Sequence, residues 1–404
     1  MAGLFLLEGD LVYNKEMYGL GTKSSVIREL FEFGKKRKAE VGEENVYDFS
    51  LGNPSIPAPE AVTKAYIKML TEKDPVALHG YTSAQGDMEV RGKIAASITR
   101  RFGCNAAPEL IYMTCGAAAS LTVSLKAMVN EGDEVIVLAP YFPEYKVFAE
   151  NAGARLRVVK CREGDFQIDL DALGAAVNAH TKAVIVNSPN NPTGAVLTEE
   201  SVKALAELLC AKQKEFGSEI FIIADEPYRE LAYGVNVPYI PNFYDNTIVC
   251  YSFSKSLSLP GDRIGYIFVS PKAAGAKAIF AAVCGAGRSL GFVCAPALAQ
   301  FVIGECLDEV ADIAAYDKNR TLLYNSLCEM GYEAVKPDGA FYLFVKAPGG
   351  DAGAFSEAAK KHELLIVPSD SFGYEGYVRI SYCVAYDTIK NSLPAFRRLI
   401  EEYK

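Results

Sequence analysis

Ser252, Ser254 and Lys255 stand together in a Ser-Phe-Ser-Lys run, and Arg263 follows within Gly261-Asp262-Arg263-Ile264-Gly265. A lysine amine condenses with an aldehyde to give a Schiff base, and two hydroxyls with a guanidinium nearby suit a phosphate. The chemistry expected is a covalently held aldehyde cofactor with an anion grip beside it. Alone, such a lysine would be an ordinary solvated charge. Its position argues otherwise. The apolar, β-branched run 247–251 reads as a buried strand that ends where the serines begin, and open α/β sheets bind ligands just outside such strand ends.

Pyridoxal 5′-phosphate is the common cofactor that offers both an aldehyde and a phosphate. Its ring acts as an electron sink only while the ring nitrogen stays protonated, which calls for a buried carboxylate beside it. Asp225 closes the apolar run 221–224 and suits that role, although in isolation it would read as a strand-end cap. Tyr228, three residues on, offers a phenol to the ring oxygen. The turn Asn187-Ser188-Pro189-Asn190-Asn191-Pro192-Thr193-Gly194 follows the run 183–186 and is rich in turn formers. Asn191 would share the ring oxygen with Tyr228, and a cis bond before Pro192 would aim it.

With these motifs in order, the chain resembles the class I/II aminotransferases of the fold type I pyridoxal-phosphate enzymes, from about residue 25 to the end. The resemblance implies pyridoxal 5′-phosphate bound covalently at Lys255, with Ser252, Ser254 and Arg263 on its phosphate. Thr114-Cys115-Gly116-Ala117-Ala118 is similar to the family's phosphate loop, where amides at a helix start meet the anion. Ala118 departs from the Ser, Thr or Lys of many relatives, so only backbone contacts remain there. Phe142, in Pro140-Tyr141-Phe142-Pro143, matches the aromatic that stacks on the pyridine ring. Arg379, in Tyr377-Val378-Arg379-Ile380-Ser381, would hold the substrate α-carboxylate through its fork. Gly52, in Leu51-Gly52-Asn53-Pro54, matches a turn near the substrate. Tyr81 resembles the tyrosine that reaches the neighbouring subunit's phosphate, which implies a homodimer with shared sites. Arg288 falls where some relatives present a cation across the dimer to a dicarboxylate.

These residues need a scaffold. Between about residues 108 and 270, apolar runs at 110–113, 135–138, 183–186, 220–224, 247–251 and 266–269 alternate with helical stretches such as 199–213. The pattern predicts an α/β large domain over 61–290. The fold type adds a mostly parallel seven-stranded sheet covered by helices. Residues 291–404 read as a smaller α+β domain, with a long helix from about 295 through Tyr324 and a strand at 340–345. Residues 1–60 form an N-terminal segment that joins it in part.

The 404 residues carry 41 basic and 50 acidic side chains, a net charge of −9, which argues against a nucleic-acid or anionic-membrane surface. Ten scattered cysteines without a Cys-x-x-Cys pair indicate a reducing, cytoplasmic setting. The apolar start at residues 1–7 lacks the basic flank of a signal peptide. His79, His180 and His362 have no metal-ligand spacing. Gly285, Gly287 and Gly291 miss a dinucleotide fingerprint by one position.

The activity implied is transfer of an amino group between an L-amino acid and a 2-oxo acid, with Lys255 as anchor and general base and Asp225 and Tyr228 assisting. Two alternatives stand beside it. The first is β-lyase, decarboxylase or racemase chemistry on the same fold. The second is a non-catalytic cofactor-binding regulator, against which the first sixty residues are too short and insufficiently basic for a DNA-binding domain.

Overall fold

A computed structural model describes residues 13–22 and 25–404, so the apolar start at residues 1–7 lies outside the described residues. A short strand, β1 (Tyr47–Asp48), precedes the large domain. That domain carries β2 (Ile111–Thr114), β3 (Glu134–Ala139), β4 (Arg155–Lys160), β5 (Thr181–Asn187), β6 (Phe221–Asp225), β7 (Thr247–Ser252) and β8 (Gly265–Val269). They form one sheet in the order β2-β8-β7-β6-β5-β3-β4. All neighbours are parallel except β8, which runs antiparallel to both β2 and β7.

The all-apolar strands follow from burial on both faces. Ile222, Ala224 and Val249 enter one core with Ile94 and Leu205, while the alternate residues Ile223, Ile248 and Cys250 enter a second core with Leu121 and Val283. Strand β4 has no counterpart among the apolar runs. It lies at the sheet edge with a largely exposed Arg-Leu-Arg-Val-Val-Lys sequence, and charges on an edge strand block further pairing.

A third core, around Phe49, Leu323, Phe341, Leu343, Ile380 and Leu399, belongs to the smaller lobe. There β9 (Ala334–Val335), β10 (Tyr342–Lys346), β12 (Val367–Pro368) and β13 (Tyr377–Ser381) make an antiparallel sheet. The remaining strand, β11 (Leu364–Leu365), pairs in parallel with β1, which joins the N-terminal segment to this lobe.

The single long helix expected from 295 through Tyr324 is two helices, Ala297–Gly304 and Ile313–Met330. The first ends at Gly304, and Asp312 caps the second by accepting a hydrogen bond from the Ala315 amide. Helical apolar spacing continues through both, which hid the break. Ala299, Val302, Ile303 and Cys306 pack into the large-domain core. We therefore place the passage between lobes at about residues 306–313 rather than at 291. Among the described residues, no helix is long and apolar enough to cross a membrane.

Candidate active site

Strands β5, β6 and β7 end side by side, and their ends carry Asn187, Asp225 and Ser252. A cleft of about 320 Å³ opens there between the lobes, lined among others by Gly52, Ala117, Ala118, Phe142, Asn191, Tyr228, Ser252, Ser254, Lys255, Arg263, Tyr342 and Arg379. Residues distant in sequence thus meet as the motif order implied.

Lys255 sits on the one-turn helix Phe253–Ser256, begun by Ser252, whose hydroxyl accepts from the Ser254 amide. Its Nζ donates to the Gly52 carbonyl at 2.7 Å. Burial chiefly, with help from the positive charges of Arg263 and Arg379, brings the Lys255 ammonium down to about 8. An amine there exchanges protons near neutral pH.

Asp225 is the second perturbed group. Its Oδ2 accepts from the Tyr145 phenol at 2.5 Å and, weakly, from Asn187 at 3.5 Å, while its Oδ1 is buried without a partner. Desolvation, opposed by the Tyr145 hydrogen bond and reinforced by Glu226, pushes its carboxyl up to about 7. A buried carboxylate oxygen with no donor is a place for one.

Three groups meet on the anion side. The helix Ala117–Met128 starts at Gly116, and Gly116 has φ +90° with its α-carbon against Arg263, so a side chain there would lie 2.8 Å from Nη2. Arg263 donates to the carbonyls of Cys115 at 3.0 Å and Pro260 at 2.8 Å. It has φ +50°, a strained value for a non-glycine residue. The Ser252 and Ser254 hydroxyls lie 2.7 Å apart. First-turn amides, two hydroxyls and a guanidinium make a nest for a phosphate.

On the other side, Arg379 of β13 is fully buried. Its Nη1 donates to Asn191 Oδ1 at 3.1 Å, its Nη2 to the Ser50 carbonyl at 2.5 Å, and its Nε has no partner. Burial lowers its affinity for its proton against the opposing effect of Tyr342 and Tyr228. The peptide bond between Asn191 and Pro192 is cis, and Asn187 Oδ1 holds the Asn191 amide at 2.8 Å. The Tyr228 phenol meets the Tyr342 phenol at 3.0 Å, and burial raises both well above the usual tyrosine range.

Two sequence candidates are elsewhere. Tyr81 is 91 % exposed, and Arg288 is exposed near the end of the helix Ala276–Ser289; neither lines the cleft of this chain. Two neighbours were missed. Tyr342 lies in an apolar strand run and reads as core, and Tyr145 lies in a helix with no motif; only the fold brings them to Tyr228 and Asp225.

Comparison with known proteins agrees with this geometry. The family model described as Aminotransferase class I and II matches residues 44–396. The chain is 29 % identical over 394 residues to aromatic-amino-acid aminotransferase 2 of Thermococcus litoralis, covering 94 % of this chain and 96 % of that one. It is 30 % identical over 374 residues to an aspartate aminotransferase of Thermotoga maritima, covering 91 % and 95 %. A crystal structure of an amino transferase from Eubacterium rectale is similar at 55 % identity with a TM-score of 0.96, over 98 % of this chain and 100 % of that one. The chain belongs to the class I and II aminotransferases, fold type I enzymes whose cofactor is pyridoxal phosphate and whose reaction is transamination between an amino acid and a 2-oxo acid.

Proposed function

We propose that this aminotransferase works through Lys255 as covalent anchor and proton carrier, with pyridoxal 5′-phosphate seated between Asp225 and the Gly116–Arg263 nest. The observation that supports this most is the bare Asp225 Oδ1, a buried acceptor that a protonated ring nitrogen would satisfy. Bound there, the cofactor supplies a ring that takes up the electron pair left when the substrate's α-proton departs.

The chain's own groups do the rest. Arg263, Ser252, Ser254 and the Ala117 and Ala118 amides hold the phosphate. Phe142 covers a face of the ring, and Asn191 and Tyr228 donate to its oxygen, with Tyr342 fixing the Tyr228 phenol. The forked Arg379 binds the α-carboxylate in a fixed direction, which a lysine could not impose. Asn191 keeps that fork in plane. Once displaced by substrate, the Lys255 amine, held near the pH at which it can both accept and give a proton, carries the proton from the α-carbon and returns it two bonds away, across the substrate nitrogen, to the carbon that the lysine had held.

Tyr81 and Arg288 enter this reading from a second copy of the chain: a homodimer in which Tyr81 completes the phosphate site and Arg288 meets a dicarboxylate. A cytoplasmic setting accords with ten unpaired cysteines.

Incubating the purified protein with single amino acids and no oxo acid tests the reaction. Stoichiometric conversion to the pyridoxamine form, reversed by an oxo acid, is expected. Sustained release of ammonia, pyruvate or carbon dioxide would favour the lyase or decarboxylase alternative. If Arg288→Ala lowers activity on aspartate and glutamate but not alanine, the dicarboxylate role stands; an equal effect on all three removes it.

A further inference from the structure

The Arg263 guanidinium, on which the proposed phosphate site depends, has a carboxylate as its chain neighbour. Asp262 stands beside it in Gly261-Asp262-Arg263, and a carboxylate within reach of an arginine fork competes with a phosphate for the same donors. Yet Arg263 donates to two carbonyls, those of Cys115 and Pro260, and among the described residues it has no carboxylate partner. Another group holds Asp262.

That group is Tyr66. It lies on the helix Glu60–Glu72, 196 residues earlier in the chain, and its phenol donates to Asp262 Oδ2 at 2.5 Å. The ring is half-buried against the large-domain core, which fixes the direction of the hydroxyl. Burial and the Asp262 carboxylate both raise the phenol above the usual tyrosine range, so it stays a donor. The loop that it reaches has little else to hold it. Between the Lys255 turn and β8 the backbone is strained at Ser258, with φ +54°, and at Arg263, with φ +50°. Among the described residues, no other hydrogen bond from outside this loop reaches Pro260, Gly261 or Asp262.

We infer that Tyr66 is a positioning residue for the cofactor: by holding the Asp262 carboxylate it leaves the Arg263 fork free for the phosphate and steadies the loop that carries it. The inference rests on the phosphate site proposed for Arg263. Tyr66 does not line the cleft of this chain, and it acts through Asp262.

The test is the affinity of the full chain, freed of cofactor, for pyridoxal 5′-phosphate and, separately, for pyridoxal, which has the same ring and aldehyde but no phosphate. Tyr66→Phe removes one oxygen and keeps the packed ring. It is expected to weaken pyridoxal phosphate about 10-fold, the scale of losing one hydrogen bond to a charged group, and to leave pyridoxal unchanged. Adding Asp262→Asn, which removes the competing charge, should restore most of that affinity. A merely structural role would weaken both ligands alike, and that result overturns the inference. So does an unchanged affinity for pyridoxal phosphate in Tyr66→Phe, or a loss that Asp262→Asn leaves in place. Arg263→Ala separates this role from the site beneath it. If Arg263→Ala weakens pyridoxal phosphate while Tyr66→Phe does not, the phosphate site stands and the role of Tyr66 falls; if Arg263→Ala has no effect, the phosphate site itself falls.

Discussion

Asp225→Asn should stabilise the cofactor-free chain against rising pH. Burial raises the Asp225 carboxyl from 3.8 to about 7, so the folded chain keeps a proton that the unfolded chain releases. Every tenfold gain in proton affinity corresponds to about 1.4 kcal/mol, and the folded state therefore loses about 4 kcal/mol between pH 4 and 7 on account of this group. The sign is that of a raised carboxyl: the stability is fully present below the unfolded value and is lost as pH climbs through the folded one. Asparagine does not titrate. Its amide would leave an N–H unmet where Oδ1 now lies bare, a penalty of about 1–3 kcal/mol that is independent of pH. Comparing the two proteins at pH 5 and pH 8 cancels that penalty and isolates the titration. Urea unfolding of the cofactor-free proteins should show the wild type losing about 3 kcal/mol relative to Asp225→Asn between those pH values. With cofactor bound the order reverses. The variant should hold pyridoxal phosphate more weakly, and its kcat should fall by about 100-fold or more, the scale of losing one preorganised electrostatic partner. Identical pH dependence in both cofactor-free proteins would refute the reasoning, because Asp225 would then titrate as though solvated.

Arg379→Lys keeps the charge and removes the fork, so kcat/KM should fall by about 10- to 100-fold across all amino acids, in line with the loss of one charge-assisted hydrogen bond; steady-state kinetics check this, and an unchanged value would remove Arg379 from the carboxylate site. Gly52→Ala drives a methyl group into the Tyr342 phenol oxygen, an overpacking that should cost about 1–3 kcal/mol in unfolding experiments. Adding Tyr342→Phe to Gly52→Ala should recover much of that loss, and failure to recover it would place the strain elsewhere.

Most of this site was legible in the sequence because its motifs lie in loops fixed by strand ends. Asn191, Asp225, Ser252 and Lys255 each follow an apolar run, and a parallel sheet brings such ends together by construction. The antiparallel direction of β8 leaves no trace in local pattern, since a fully buried strand reads alike in either direction. Strand β4 escaped because edge strands need not be apolar. Tyr145 and Tyr342 escaped for a different reason. Their roles rest on partners 80 and 114 residues away, and a tyrosine in a buried run looks the same whether its hydroxyl is structural or functional. The contact of Tyr66 with Asp262 was invisible in sequence because it spans 196 residues, and a tyrosine on a helix carries no sign of its partner.

Every role proposed for the cleft depends on Lys255 as the attachment point. Reducing the holoenzyme with borohydride, digesting it and mapping the modified peptide by mass spectrometry tests this directly. A phosphopyridoxyl group on Lys255, with no such adduct and no turnover in Lys255→Ala, is the predicted result. The modification on another lysine, or full turnover in Lys255→Ala, would contradict it.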